Sequence, residues 1–244
     1  MRRMVEKMIK VEHITKSFGE LKAVDDVSFE VGEKECFALL GLNGAGKTTL
    51  INLLTTVLLP TSGTATVCGY DVVKEPYAVK ERINISPQEI AVAKNLTVEE
   101  NLALIADLYA VPNAKEEIER VLLEFGLQEK RRSLAKRLSG GQLKRLSIAL
   151  AVLTSPKILF LDEPTLGLDI KARQTLWKTI ENLKGRMSIF LTTHYLEEVE
   201  RLTDRIGIIS RGKLKVVGTL QELLKKTGKS TLEEAFLSLE GEEE

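Results

Sequence analysis

The chain has 244 residues, 43% hydrophobic and 29% charged, with Lys plus Arg and Asp plus Glu balanced at 35 each. This length supports one sizeable domain or two small lobes, and the balance excludes both a global basic field for nucleic acid and the acidic excess of a disordered chain. The longest apolar runs, such as Ile158 to Leu161, are far too short to span a bilayer, so any membrane work is expected to need another subunit.

In chain order, Met1 to Lys10 carries Arg2, Arg3, Lys7 and Lys10 without the apolar core and cleavage site of a secretory signal, which predicts a cytoplasmic protein. Strands are expected at Ile9 to His13, Val27 to Val31, Cys36 to Leu40, Thr64 to Cys68 and Ile83 to Ser86, with one helix after Gly46. His13 is expected on a strand surface. Cys36 and Cys68, each without a second Cys or His at ligand spacing, are expected as buried thiols.

From Thr97 the pattern turns helical, with Thr97 to Glu100 and Asn113 to Glu116 shaped as capping boxes, and a helical lobe is predicted over about 92–154. Strand and helix then alternate: Lys157 to Leu161, Ile170 to Lys184, Ser188 to Leu191, Tyr195 to Leu202, Arg205 to Ile209, and a hairpin at Ser210 to Lys213. The whole, 1–244, reads as a single α/β domain with core segments 1–91 and 155–228, the inserted lobe, and a C-terminal helix in 229–244. Gly241 to Glu244 reads as a frayed, solvated end.

Three segments carry chemistry. Gly41-Leu42-Asn43-Gly44-Ala45-Gly46-Lys47-Thr48-Thr49 fits G-x-x-x-x-G-K-[ST] between an apolar strand and a helix. Its glycines let backbone N–H groups converge on a phosphate, Lys47 reaches the outer phosphates, and the Thr48 hydroxyl can ligate Mg²⁺. Chance alone would place the fixed positions in about one in a hundred such chains, and the strand and helix flanks argue against chance. Ile158 to Leu161 then Asp162-Glu163 is a buried strand ending in two carboxylates at the ligand-binding edge of an α/β sheet, where Asp162 can hold a Mg²⁺ hydration shell and Glu163 can polarise a water. Leu138-Ser139-Gly140-Gly141-Gln142 opens a helix and forms a second Gly-rich N-terminus.

The segment from Leu138 to Asp169, LSGGQLKRLSIALAVLTSPKILFLDEPTLGLD, resembles the signature-to-D-loop core of the ATP-binding cassette (ABC) family, and with the phosphate loop the resemblance covers nearly the whole chain. It implies an ABC ATPase fold: a phosphate-loop NTPase core with an antiparallel β subdomain and an inserted helical lobe. It further implies that Gln88 is the Q-loop glutamine touching Mg²⁺, that His194 contacts the γ-phosphate and orients the attacking water, and that Asp169 belongs to a D-loop crossing to a partner. The usual serine and alanine opening that loop are replaced. Phe18 stands where the family places a tyrosine stacked on adenine. Val24 resembles the apolar residue set against ribose, with packing into the core an almost equal alternative.

The resemblance implies a head-to-tail dimer, with a second copy or a paralogous subunit, in which ATP lies between Lys47 of one subunit and Ser139 of the other. It points to the ATPase subunit of a membrane transporter, partnered by an integral membrane permease and peripheral on the inner face of the cell membrane, with no nucleic-acid partner. The alternative is a soluble ABC ATPase such as a cluster-assembly factor. The stretch Ser230 to Leu239 resembles the ending of exporter ATPases, and equally fits a plain amphipathic helix with Leu232, Ala235, Phe236 and Leu239 on one face.

Overall fold

A computed structural model describes residues 7–241; Arg2 and Arg3, and 242–244 of the expected frayed tail, lie outside the described residues. Two sheets form the frame. Strands β1 (Lys7–Phe18) and β2 (Leu21–Gly32) make an antiparallel hairpin, joined after the helix α1 (Lys47–Leu54) by β4 (Ser62–Val67) and β5 (Tyr70–Asp71), in the order β2-β1-β4-β5. The second sheet has the order β10-β9-β3-β8-β7-β6, built from β3 (Cys36–Leu40), β6 (Ile83–Ser86), β7 (Ile158–Asp162), β8 (Ser188–Thr193), β9 (Arg205–Ser210) and β10 (Lys213–Gly218). Only β10 runs antiparallel to its neighbour, closing the hairpin predicted at Ser210 to Lys213.

The central strands β3, β7 and β8 are buried along their whole length because both faces are covered, as expected of parallel strands. Alternate residues serve two cores. Phe37, Leu39, Ile158, Phe160 and Phe190 point toward the antiparallel sheet and α1, while Ala38, Leu40, Leu159, Leu161 and Leu191 point toward the helices on the opposite face. Phe29, Phe37, Phe190 and Phe160 follow one another across the first core, with successive centroids 5.3, 5.5 and 5.6 Å apart, the first two pairs stacked and the last tilted.

Helices α2 (Pro76–Lys80), α3 (Val98–Leu108), α4 (Ala114–Glu124) and α5 (Gly140–Leu153) lie between β5 and β7, with α3 to α5 packed together. Then come α6 (Ile170–Leu183), α7 (Leu196–Leu202), α8 (Leu220–Thr227) and α9 (Leu232–Glu240). The Thr97–Glu100 capping box is present, Glu100 N–H donating to Thr97 Oγ1 at 3.2 Å. Asn113 does not cap α4: its φ of 52° and ψ of 41° lie in the left-handed region, and its side chain accepts no hydrogen bond from the first turn, which an extended backbone would have presented to it. Helix α9 buries Leu232, Ala235 and Phe236, with Leu239 half-buried, docking its apolar face on its own fold. Among the described residues no helix is long and apolar enough to cross a membrane.

Both first strands run well beyond their expected lengths. The left-handed φ values of His13 (51°) and Asp26 (52°) fall at register shifts, and such bulges break the alternation by which a strand is read. His13 is exposed, as expected, with Nδ1 2.8 Å from Asp26 Oδ1. Cys36 is buried, and burial pushes its thiol up to about 12. Cys68 is only half-buried, contrary to expectation, because it sits on the tight turn from β4 to β5 with φ 53°.

Candidate functional site

The phosphate loop leaves the carboxyl end of β3 and enters α1. Gly46 is the N-cap of α1 at φ 102°, and a Cβ there would lie 2.2 Å from Ala23 O, so only glycine fits. At Gly41 a Cβ would lie 2.4 Å from Ile209 O. The loop is thus pressed against β2 and β9, and the β9–β10 turn secures it further: Gly212 N–H donates to Ala45 O at 3.0 Å, and Asp25 N–H to Gly212 O at 2.8 Å.

Six side chains converge at this loop: Lys47, Thr48, Asp162, Glu163, Thr192 and His194. Lys47 is buried and its Nζ donates to Gly41 O (2.7 Å) and Leu42 O (3.1 Å). The Thr48 hydroxyl donates to Asp162 Oδ2 at 2.9 Å, and the Thr192 hydroxyl donates to Asp162 Oδ1 at 2.5 Å. Glu163 follows at the end of β7 with φ 46°, a conformation that costs roughly 1–3 kcal/mol for a non-glycine residue. Two bonds hold it there: its N–H reaches Thr192 O at 3.1 Å and Thr192 Oγ1 at 3.2 Å. Its carboxylate lies between two partners, Lys47 Nζ 2.9 Å from Oε1 and His194 Nδ1 2.9 Å from Oε2.

A cavity of about 680 Å³ opens over these groups. Phe18, Asn43, Gly44, Gly46, Lys47, Thr48, Thr49, Gln88 and Glu163 line it, while the loop residues Gly41 and Ala45 are buried. The volume is in the range of small-ligand clefts. Val24 does not line it: the side chain is 0% exposed and belongs to the inter-sheet core, because strand alternation turns its neighbour Ala23 toward the cavity instead. The Thr48 hydroxyl and the Asp162 carboxylate lie 2.9 Å apart and Gln88 lines the same cavity as Thr48, so the oxygens that could hold Mg²⁺ are a hydroxyl, a carboxylate and an amide carbonyl.

Ser139, Gly141, Gln142 and Asp169 line a different cavity, of about 360 Å³. Ser139 caps α5, accepting from Gln142 N–H at 3.3 Å, and Gly140 follows at the exposed first position of the helix. Asp169 caps α6, accepting from Ala172 N–H at 2.8 Å. A Cβ on Gly141 would lie 2.7 Å from Ala172 Cβ, so the two helix starts are packed as one unit. One chain therefore carries two separate Gly-rich helix starts, only one of them beside the carboxylates.

Several residues of the first site gave no sequence signal. Thr192, Arg211 and Gly212 belong to it only through space, the last two as a turn legible in the sequence but not as a wall of this cavity. Leu21 and Lys22 also line it. Behind it, the Lys144 side chain is buried, and burial pushes its ammonium down to about 8 against the pull of the Asp162, Glu198 and Glu163 carboxylates.

A parallel sheet whose strand ends carry a phosphate loop and an Asp-Glu pair defines a phosphate-loop NTPase, and the helices between β6 and β7, opening on Ser139 to Gln142, narrow the class. The chain belongs to the ABC transporter family, whose sequence profile matches residues 24–166. It is 38% identical over 228 residues to a linearmycin resistance ATP-binding protein of Bacillus subtilis, spanning 92% of this chain and 73% of that one. It is also 38% identical over 228 residues to a daunorubicin resistance ATP-binding protein of Streptomyces coeruleorubidus, with 92% and 72% covered. Among solved structures, an ATP-binding subunit of an ABC transporter superposes with a TM-score of 0.86 at 30% identity, covering 95% of this chain and 99% of that one. The chain is an ATPase that binds ATP and hydrolyses it to power a transporter.

Proposed function

We propose that this chain is one cassette of a two-cassette motor that drives export through a separate integral membrane permease. The observation that carries the chemistry is the Glu163 carboxylate, held between Lys47 and His194 at the floor of the 680 Å³ cavity. The loop N–H groups and Lys47 hold the phosphates and Phe18 stacks on the purine; Thr48, Asp162 and Gln88 would hold Mg²⁺, which would offset the negative charge of the phosphates. Glu163 takes a proton from water as the water oxygen bonds to the γ-phosphorus and the bond to the bridging oxygen breaks. His194 orients Glu163 and that water.

Ser139 to Gln142 and Asp169 complete the site of a second copy or of a paralogous cassette. The core segments 1–91 and 155–228 then hold nucleotide, the lobe 92–154 meets the permease near Gln88, and the C-terminal helix in 229–244 braces the core. The names of the resistance relatives support export, with the chain peripheral on the inner face of the cell membrane.

The test is Glu163→Gln, which keeps shape and hydrogen bonding and loses the proton acceptor. ATP hydrolysis should fall by about a hundredfold or more, with Mg-ATP affinity retained. Full turnover would remove Glu163 as base. Fractionation of native cells should place the chain with membranes; recovery without any membrane partner would favour a cluster-assembly role.

A further inference from the structure

We propose that Lys144 is a positioning residue that ties the segment bearing Gln88 to α5, so that what happens at this chain's own nucleotide sets how Ser139 is presented to a partner cassette. The contacts are specific. Lys144 is 3% exposed, and its Nζ donates to Pro87 O at 2.9 Å and reaches Gln88 O at 3.4 Å. One helical turn on, Ser147 Oγ lies 3.0 Å from Ser86 Oγ, both residues buried. Positions 144 and 147 share a face of the helix, so α5 is stitched to the end of β6 along one line.

Packing alone gives no reason for a lysine here. A buried ammonium carries a desolvation cost that methionine or leucine would avoid. What the ammonium adds is two donors aimed at carbonyls of the non-repetitive segment that follows β6. Gln88 lines the 680 Å³ cavity with its side chain and meets Lys144 with its backbone, so a shift of Gln88 toward a nucleotide pulls on a 14-residue helix whose N-cap is Ser139. A rigid helix passes that displacement to its N-terminus, which lines the other cavity.

The inference rests on the reading that the Ser139 segment closes the site of a second cassette, and the experiment separates the two. In a Glu163→Gln parent, Mg-ATP affinity is measured on dilute chain and ATP-driven dimer formation by light scattering on concentrated chain. Lys144→Met, which keeps an unbranched side chain of nearly the same length and loses the donors, should leave the affinity within about twofold and weaken dimer formation by about tenfold or more, a coupling of ordinary size. Lys144→Gln keeps an amide donor one bond shorter and should recover part of the loss; it carries the same test if Lys144→Met does not fold. Lys144 variants that dimerise like the parent, or that lose monomer affinity and dimer in equal measure, overturn the role of Lys144. A parent that stays monomeric overturns the sandwich reading and this inference with it.

Discussion

Lys47 Nζ stands 2.9 Å from Glu163 Oε1, with the two side chains 6% and 5% exposed. The approach is an ion pair without hydrogen-bond alignment, since Oε1 accepts no hydrogen bond among the described residues. One ammonium therefore serves two carbonyls of the loop and the carboxylate at once, and a phosphate group, with more charge than any of the three, competes for it on favourable terms.

Lys47→Ala removes that ammonium, and loop N–H groups cannot replace it. Mg-ATP affinity should fall by about tenfold or more, and the folded chain should also melt earlier because Glu163 is left buried without its cation. Nucleotide titration and a thermal melt check both. Unchanged affinity would remove the phosphate-loop assignment.

Phe18 is 49% exposed at the rim of the cavity, with Lys16 Nζ 5.1 Å from its ring centroid. A phenyl face stacks on either purine and carries no group to read an exocyclic amine or carbonyl. GTP should therefore compete with ATP within about tenfold, and Phe18→Ala should weaken both by a similar factor, stacking being worth about 1–3 kcal/mol per base. A hundredfold preference for ATP would mean that a polar group reads adenine; Arg211 lines the same cavity.

Glu198 lies fully buried with Trp177 Nε1 donating to its Oε1 at 3.1 Å, and burial pushes its carboxyl up from the ordinary range. A group with a raised folded pKa contributes stability that is present below its unfolded pKa, near 4.3 for a glutamate, and is lost as pH rises through the folded value. Glu198→Gln keeps an acceptor for Trp177 and does not titrate. The melting temperature of the variant should therefore gain on the wild type as pH is raised from about 5 to 8. A difference constant across that range would show that Glu198 has the same pKa folded and unfolded.

Much of this architecture was legible because it lies in contiguous chain. The strand, glycine loop and helix around Lys47, the apolar run ending at Asp162 and Glu163, and the Ser139 helix start each carry their signal within a dozen residues. The apolar run Ile158 to Leu161 announces a buried strand, yet only the sheet order tells that its alternate residues feed two different cores. Val24 and Ala23 show the same limit from the other side, since a one-residue choice of face decides which of them meets the cavity. Asn113 has the right residue type for a cap and the wrong backbone for it. Thr192 holds Asp162 from the neighbouring strand and Lys144 meets the backbone of the Gln88 segment from α5, contacts between stretches distant in sequence, so spacing carried no trace of them.

Thr192 helps to fix the plane of the Asp162 carboxylate. It faces Asp162 across the β7–β8 ladder, 0% exposed, and its hydroxyl donates to Asp162 Oδ1 at 2.5 Å while accepting the Glu163 N–H at 3.2 Å. Thr192→Val keeps the shape and removes the hydroxyl, so the Asp162 carboxylate loses one of the two donors that fix its plane. The Glu163 N–H keeps Thr192 O at 3.1 Å, so the strained turn survives. A loosened Asp162 should hold Mg²⁺ less well: the Mg²⁺ concentration giving half-maximal ATPase activity should rise by about tenfold, as for other groups that orient a metal ligand. Nucleotide binding in the presence of a chelator should be unchanged, and Thr192→Ser, which restores the donor, should return the Mg²⁺ dependence toward wild type. If Thr192→Val lowers the melting temperature and leaves the Mg²⁺ titration where it was, the hydroxyl serves packing and folding alone, and Asp162 is held by Thr48.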